Sequence, residues 1–451
     1  MSRALRVCFV TANAFEYDSR TLRAARSLAA DGHHVVVVAQ RRPGLTNEEV
    51  LEGGIRVVRP DVDRRISTAF LPRPERLRAP FRVALCRALA LDSEAIALPP
   101  RGAGFAERVR APLRRAAEIL AYRRRIEPWT RAVVDVAPAD IYSAKALVAL
   151  PVVRAAADRA GGRFVYDIAD LHIESGRLAR LPWPIKWLLY RRERRWMADA
   201  AALIAVTDPL ADEVVRRFRV DRPVIVMNCR PRWRPDEPGL PAWQPLREAL
   251  TATAPDAPPD APPDAPIILY QGAFREDQGI EELLPALSLP PLRDLPLTMV
   301  FMGFGRMENA LREAAAAAPT RIVVLPPVPP EELLDWTSGA DVSFVGAPPK
   351  TLNLRLTVPN KLFESLMAGV PVIVASGTAV AALVEKAGVG SVVEPWTAQA
   401  IADALAAMLA APQADRAALR TRARAAALDR YNAETEQARL TGLYRRLAAG
   451  S

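Results

Sequence analysis

The 451-residue sequence contains only three cysteines, and their spacing matches no common structural site. Cys8, Cys86 and Cys229 lie far apart, with no pair at the spacing of metal ligands. This pattern argues against a disulfide framework, a zinc site and an iron–sulfur cluster. We therefore expect a protein of a reducing compartment, the cytoplasm, that uses no bound metal and no cofactor.

Long apolar runs and two common phosphate-binding motifs are also missing. The apolar run at the N-terminus is too short for a secretion signal, and no uninterrupted run of about 18 apolar residues occurs. The sequence thus predicts a protein that is not secreted by that route and does not span a membrane. It contains neither GxGxxG nor GxxxxGK[ST], which weakens a dehydrogenase or an ATPase interpretation.

Lysine is scarce and arginine is abundant, with 5 lysines, 56 arginines and a net charge of +10. Residues 64–131 alone contain 16 arginines and 6 acidic residues, so this segment accounts for the whole imbalance. Such a segment could bind nucleic acid, an anionic membrane surface or an anionic substrate. The alternative is a solvated helical face on which codon bias has replaced lysine by arginine.

Apolar residues between these arginines favour the membrane interpretation, with no nucleic acid partner. The stretch WPIKWLLYRR at 183–192 also mixes aromatic and cationic residues. Such mixtures suit the headgroup boundary of a bilayer, so we predict peripheral contact with an anionic membrane at its inner face. The apolar residues of the basic segment are Phe70, Leu71, Phe81, Leu85, Leu89 and Trp129.

The length is about three times that of a usual domain, which predicts two domains. Short β-branched runs alternate with helical patterns from Arg6 onward and again from Ala139, as in parallel βαβ units. We assign residues 1–235 to a first domain. Residues 64–131 interrupt its pattern, and we predict that they form a mostly helical insertion.

A second alternation of strands and helices follows a proline-rich stretch. Residues 254–266 read APDAPPDAPPDAP, which cannot form a core, so 236–266 is predicted as a linker. Residues 267–430 form the second domain, and 431–451 a C-terminal helix for which packing on the first domain stays open. The predicted fold class is α/β: two doubly wound, Rossmann-like domains facing a cleft, with ligands at the carboxyl ends of the strands.

The most informative block is PNKLFESLMAGVPVIV at 359–374. Its proline opens a helix that places Lys361 and Glu364 three residues apart on one face, and its AGVP turn leads into a strand. An ammonium near a helix N-terminus suits a diphosphate, and a carboxylate suits ribose hydroxyls. The alternative is an ordinary surface lysine and a glutamate that forms ion pairs within its helix.

This block resembles the donor-binding region of the GT-B glycosyltransferases, and most closely the retaining glycosyltransferase family 4. Further stretches agree with that family in order: DSR at 18–20, YDIADLH at 166–172, DAAALIAVT at 199–207, YQG at 270–272, MGFG at 302–305 and VPP at 328–330. The resemblance covers nearly all of the chain except about 64–131 and 236–266. It implies the GT-B fold, with an acceptor-side first domain and a nucleotide-sugar donor-binding second domain.

The resemblance also implies roles for individual residues. Asp170 is the leading candidate for the catalytic base or acceptor-positioning group, with Asp167 and His172 behind it, and Asp18 and Arg20 lie on the acceptor side. Strand-end aspartates can also simply cap the following turn. The implied donor-binding residues are Gly272, Arg275, Gly303, Val328, Asn353, Lys361, Leu362 and Glu364. Gly303 to Gly305 alone is only a short glycine turn after a strand, and the loop 353–355 would have to meet the sugar.

The sequence departs from the family pattern at several of these places. The family has a second glutamate eight positions before Glu364, where this chain has Leu356. Ala273 and Gln278 replace a common Arg and Lys, and Ala169 replaces a common His. Arg275 and Lys361 are the candidates to restore the lost positive charge.

The resemblance therefore implies a metal-independent, retaining hexosyl- or glycosyltransferase. It would move a sugar from a UDP-, GDP- or dTDP-linked donor to a carbohydrate or lipid-linked acceptor hydroxyl, in cell-envelope polysaccharide or glycolipid synthesis. The alternatives are a sugar-nucleotide epimerase of the same fold and a non-catalytic GT-B partner protein, which the departures favour.

Overall fold

A computed structural model describes residues 3–16, 18–62, 126–176, 178–234, 236–237, 244–252, 265–346 and 348–450. The chain forms two units. The first contains Met1–Val226 together with Gln437–Ser451, and the second contains Met227–Glu436. Most of the predicted helical insertion and most of the predicted linker lie outside the described residues.

Within its described residues, the first unit is built on a sheet of eight strands in the order β3-β4-β2-β1-β5-β6-β7-β8. All neighbours are parallel except β3 and β4. Strands β3 and β4 were not predicted from the sequence, because alternate positions of the edge strand β3 are exposed and it contains no continuous apolar run. The strands are β1 (Arg6–Val10), β2 (His34–Val38), β3 (Glu48–Leu51), β4 (Ile55–Val58), β5 (Ile141–Ala144), β6 (Arg163–Ile168), β7 (Ala202–Ala205) and β8 (Val224–Ile225).

Helices connect these strands, as the sequence alternation predicts. Gly161 ends the helix Leu150–Ala160 in the left-handed conformation that glycine adopts without strain. The side chain of Thr207 caps the N-terminus of the helix Asp208–Phe218. The helices are α1 (Ser19–Ala30), α2 (described over 126–136), α3 (Leu150–Ala160), α4 (Trp183–Met197) and α5 (Asp208–Phe218). Residues 126–131, the end of the predicted insertion, thus belong to a helix.

The second unit has a parallel sheet of six strands among its described residues, in the order β11-β10-β9-β12-β13-β14. Alternate residues of β9 enter two separate cores: Ile268 and Tyr270 pack in one, Ile267 and Leu269 in the other. The sheet is therefore covered on both faces. Its strands are β9 (Ile267–Phe274), β10 (Thr298–Gly305), β11 (Arg321–Leu325), β12 (Val342–Gly346), β13 (Val372–Ala375) and β14 (Gly390–Val393).

Part of the predicted linker is a helix. Within 236–266, Pro245–Ala252 is helical, and Leu246 and Leu250 are buried in a core of the second unit. A linker assignment for these residues is wrong because the two leucines lie one turn apart and bury together. The helices of this unit are α6 (Pro245–Ala252), α7 (Ile280–Ala286), α8 (Glu308–Ala317), α9 (Leu333–Ser338), α10 (Leu352–Leu356), α11 (Asn360–Met367), α12 (Ala379–Ala387), α13 (Ala398–Ala410) and α14 (Gln413–Asp429).

The last helix, α15 (Ala433–Ala449), supplies side chains to the core of the first unit. Leu440, Leu443 and Tyr444 are buried there with Val7 of β1 and Ile141 of β5. The predicted C-terminal helix is therefore part of the first unit's hydrophobic core.

The glycines at 303 and 305 belong to strand β10, so the predicted glycine turn is wrong. They pair in parallel with Gly272 and Phe274 of β9. A Cβ built on Gly303 would lie 1.9 Å from the carbonyl oxygen of Gly272, and one on Gly305 would lie 2.2 Å from that of Phe274. Only glycine permits this close approach of the two strands.

Gly303→Ala is therefore expected to lower the free energy of unfolding by about 3 kcal/mol or more, because the added methyl group meets backbone atoms that cannot move aside. Urea unfolding followed by circular dichroism measures the change. Gly442→Ala is the matched control, since its Cβ would approach nothing closer than a flexible arginine tip at 3.8 Å. Equal stability of the two variants would contradict the close-approach argument.

Candidate functional site

The second unit has a topological switch point between β9 and β12. From β9 the chain continues to β10 and β11 on one side, and β12 to β14 lie on the other. The loops after β9 and β12 meet there, since a Cβ on Gly346 would lie 2.4 Å from the carbonyl oxygen of Gln278. Open α/β sheets bind ligands at such points, and the predicted donor residues Gly272 and Arg275 lie at the end of β9 and just after it.

Lys361 is the most unusual side chain near this switch point. It lies in the first turn of α11, only 8% of its surface is exposed, and its Nζ lies 3.9 Å above the centre of the Tyr270 ring. Among the residues that the structure describes, Nζ has no hydrogen-bond partner. Burial, with a smaller contribution from the charge of Arg275, lowers the pKa of Lys361 to about 7 against the opposing effect of Glu364.

A buried cation without a carboxylate partner is costly, and an anionic ligand would relieve that cost. Arg275 itself is exposed, so its guanidinium faces solvent. The two predicted cations are thus electrostatically coupled, one buried and one exposed. Together they can neutralise a doubly charged group such as a diphosphate.

Glu364 is held in place by two partners. Its Oε2 accepts a hydrogen bond of 2.9 Å from Nε2 of Gln271 in β9, and its Oε1 lies 3.3 Å from Nη2 of Arg230. Gln271 is itself fixed, because its Oε1 accepts from the hydroxyl of Thr337 at 2.7 Å. A carboxylate offers about four acceptor positions, so Glu364 keeps acceptors for the hydroxyls of a ligand.

The remaining predicted donor residues have different surroundings. Leu362 is fully buried in a core, so it has a packing role. Val328 lies in the loop after the edge strand β11 and packs half-buried against the same core. Asn353 is 5% exposed and lies in helix α10, so the predicted loop 353–355 is helical. Thr351 begins this helix by accepting a hydrogen bond from the backbone of Leu354, as serine and threonine caps do.

The first unit has a corresponding switch point between β1 and β5. Asp18 follows β1 and caps α1 by accepting a hydrogen bond from the backbone of Thr21. Nζ of Lys145, the residue after β5, lies 2.6 Å from Oδ1 of Asp18. Burial alone would raise the pKa of Asp18, but Lys145 and the hydrogen bonds from Thr21 and Asn13 lower it below its usual value.

Arg20 and Asp167 form a buried ion pair beside this point. The guanidinium donates from Nε and Nη2 to both carboxylate oxygens at 2.7 and 2.6 Å, and its Nη1 donates to the carbonyl oxygen of Val226 at 2.9 Å. Bidentate pairs of this kind are strong and geometrically specific. Asp167 is therefore committed to Arg20, which makes it a poor candidate for the base.

Asp170 lies half-buried in the loop after β6, two residues beyond the last residue of the strand. The following 3₁₀ turn, His172–Glu174, places Nδ1 of His172 3.1 Å from the carbonyl oxygen of Asp170. His172 thus stabilises this loop locally. Asp170 is the second predicted catalytic carboxylate, and this loop places it beyond the carboxyl end of β6.

Comparison with known proteins finds a family match for the second unit and similar folds for the whole chain. Residues 265–411 match the model of the family described as Glycosyl transferases group 1. The whole chain is similar in fold to sucrose-phosphate synthase from Thermosynechococcus elongatus, with a TM-score of 0.68, 17% identity and 99% of each chain covered. The chain has the GT-B fold.

Two further GT-B structures are similar over their full length. HepE of Anabaena in complex with UDP-glucose has a TM-score of 0.59 and 14% identity, with 98% of this chain and all of that chain covered. WaaG, a glycosyltransferase involved in lipopolysaccharide biosynthesis, has a TM-score of 0.61 and 16% identity, with 99% and 100% covered. No curated protein sequence matches the chain.

The family match includes every predicted donor residue of the GT-B second unit, from Gly272 to Glu364. The match is therefore confined to the second unit. Across the part of the chain that the structure describes, no group of three or more metal-binding side chains comes together. None of the described helices is both long and apolar enough to cross a bilayer.

Three residues that contact predicted site residues within their own unit were missed in the sequence. Lys145 and Tyr270 directly contact predicted site residues, and Arg230 pairs with Glu364. Lys145 follows a predicted strand and Tyr270 is the last residue of another, so their position at strand ends was a usable signal. Arg230 lies in an irregular segment after β8, where the sequence carries no such signal.

Proposed function

We propose that the protein is an enzyme that transfers a sugar from a nucleoside diphosphate donor to an acceptor hydroxyl. The observation that carries this proposal is the buried ammonium of Lys361, which has no hydrogen-bond partner among the described residues. It lies beside the positioned carboxylate of Glu364, at the switch point of the unit that matches the group 1 model. This combination matches two parts of a donor, its charged diphosphate and the hydroxyls of its ribose.

In the reaction, the bond between the anomeric carbon and the diphosphate oxygen breaks, and the acceptor oxygen forms a new bond to that carbon. Negative charge grows on the departing diphosphate, where the cations Lys361 and Arg275 stabilise it without needing a metal. The acceptor hydroxyl loses its proton, and we assign Asp170 to accept it or to orient the hydroxyl. Retention of configuration is part of the proposal, on the strength of the resemblance to family 4.

Two of the similar structures support a narrower choice of substrates. HepE is in complex with UDP-glucose, so a UDP-linked sugar is the first donor to test, followed by GDP- and dTDP-linked sugars. WaaG is involved in lipopolysaccharide biosynthesis, which supports a cell-envelope glycolipid or polysaccharide acceptor at a membrane surface. We propose a cytoplasmic enzyme in peripheral contact with the membrane.

A donor screen by thermal shift tests the proposal, because a ligand that binds only the folded protein raises its melting temperature. Labelled nucleotide sugar then shows whether the sugar is transferred or hydrolysed. Binding with sugar transfer supports the enzyme. Conversion of the sugar without an acceptor supports an epimerase, and no turnover supports a non-catalytic partner, which Leu356, Ala273 and Gln278 favour.

Donor binding should take up a proton at neutral pH. In the protein without donor, the pKa of Lys361 is about 7, and a bound diphosphate raises it. The affinity for the donor is therefore fully present at lower pH and is lost as pH rises above 7. The loss should reach up to about tenfold per pH unit while the complex stays protonated. The charges that act on Lys361 are Arg275 and Glu364, with the Tyr270 ring below it.

Calorimetry in buffers of different ionisation enthalpy measures this uptake directly. Lys361→Met should abolish the uptake and weaken binding at pH 7. Lys386→Met, which removes an exposed lysine from α12, is the matched control and should change neither. An affinity that is independent of pH in the parent protein would contradict the assignment of Lys361 to the diphosphate.

A further inference from the structure

Helix α4 presents an exposed face of unusual composition. Trp183, Trp187 and Leu188 are 65%, 42% and 54% exposed, and they are among the few large apolar side chains that the described residues leave open to solvent. Arg191, Arg194 and Arg195 are also exposed. At about 100° per residue these six side chains fall within an arc of about 140°, which we call the α4 face.

The opposite side of α4 is fixed to the protein. Ile185, Leu189 and Trp196 are buried, and the buried Glu193 accepts a hydrogen bond from the Tyr166 hydroxyl of β6 at 3.2 Å. The outward position of the two tryptophans is therefore set by packing on the other side of the helix.

The same helix holds the loop that contains Asp170. Nζ of Lys186 lies 2.6 Å from Oε2 of Glu174, in the 3₁₀ turn that follows Asp170, and the Tyr190 hydroxyl also donates to Glu174. Arg217 of α5 contacts the other oxygen of Glu174 at 3.1 Å. Whatever binds the α4 face thus binds an element that is tied to the predicted acceptor loop.

We propose that the α4 face is the surface through which the first unit binds an anionic lipid bilayer. The two tryptophans and Leu188 would enter the headgroup boundary, and the three arginines would contact lipid phosphates. This assignment rests on the membrane contact in the proposed function and gives it a specific surface.

Charge and area both favour a bilayer over a second copy of the chain. Three neighbouring cations complement an anionic leaflet, and Arg191 already stacks 4.7 Å from the centre of the Trp187 ring, as cations and aromatics do at membrane interfaces. The three apolar side chains expose on the order of 300 Å². A stable protein interface needs about 800 Å² from each partner, so this patch is small for a dimer.

Sedimentation with vesicles of phosphatidylcholine, with and without phosphatidylglycerol, tests the proposal. The full chain should bind the anionic vesicles, and high salt should weaken binding. Arg191→Gln, Arg194→Gln and Arg195→Gln together should weaken it about a hundredfold, since each surface cation is worth roughly fivefold. Trp183→Ser with Trp187→Ser should weaken it about tenfold or more.

Two matched controls keep the result specific. Arg26→Gln, Arg56→Gln and Arg216→Gln remove the same charge from exposed sites elsewhere on the first unit, and Val50→Ser removes an equally exposed apolar side chain. Both controls should bind vesicles as the parent does. Circular dichroism and donor thermal shift should be unchanged in all variants.

The outcomes separate the two proposals. If the parent binds no vesicles, the membrane contact in the proposed function fails. If the parent binds and the α4 variants bind equally well, that contact stands and the α4 face is wrong. A parent dimer that the tryptophan changes convert to a monomer, measured by light scattering, would assign the face to a second copy and overturn the proposal.

Discussion

A Glu364→Ala variant is expected to raise the donor KM about tenfold to a hundredfold while the protein stays folded. The carboxylate is positioned by Gln271 and Arg230, and its remaining acceptors are assigned to ribose hydroxyls. Loss of a hydrogen bond to a charged group is worth about 1.5 to 3 kcal/mol, which corresponds to this range. Steady-state kinetics with varied donor concentration measures it.

Arg230 makes a second variant necessary. Alanine at 364 also leaves the guanidinium of Arg230, only 15% exposed, without its carboxylate. Glu364→Gln keeps the shape and an acceptor oxygen, so it should show a smaller rise in KM with less loss of melting temperature. Glu385→Ala, at an exposed glutamate of α12, should behave like the parent. Unchanged donor affinity in both variants at 364 would show that Glu364 is not part of the donor site.

An Asp170→Asn variant should lose transfer activity by a factor of about 100 or more and keep its donor affinity. The substitution preserves the shape of the side chain and removes its charge and basicity, which a base or an acceptor-orienting group requires. Transfer rate at saturating donor, together with donor thermal shift, separates the two effects.

Asp167→Asn is the contrasting variant. Asp167 holds the guanidinium of Arg20 with both oxygens, and both side chains are nearly buried. Removing one partner of such a pair costs about 3 to 5 kcal/mol, so this variant should lose melting temperature first. A stable Asp167→Asn variant without activity, beside an active Asp170→Asn variant, would transfer the catalytic role to Asp167.

Most of the α/β alternation could be predicted from the sequence. Parallel strands covered on both faces are continuous apolar runs, and β2 (HVVVV) or β13 (VIVA) can be recognised from their own residues alone. The short pair β3 and β4 was missed because a four-residue edge strand such as EEVL has exposed alternate positions. Gly303 was misread because its need for glycine comes from Gly272, on another strand.

The site was predictable only where its residues are close in sequence. Lys361 and Glu364 are three residues apart on one helix, so helical periodicity was enough to place them together. The pairs Arg20–Asp167, Asp18–Lys145 and Arg230–Glu364 join residues more than a hundred positions apart. No local pattern encodes these contacts, because the strand order of the sheets brings them together.

The C-terminal helix α15 is translated last, so the core of the first unit is completed only at the end of synthesis. The residues of the second unit are continuous from Met227 to Glu436, so the ribosome synthesises them as one uninterrupted segment. Leu440, Leu443 and Tyr444 emerge after them, although they complete the core beneath β1 and β5. Part of that apolar surface of the nascent first unit therefore stays uncovered while the second unit is translated. An interruption of synthesis after residue 436 would leave the later unit finished and the earlier one incomplete.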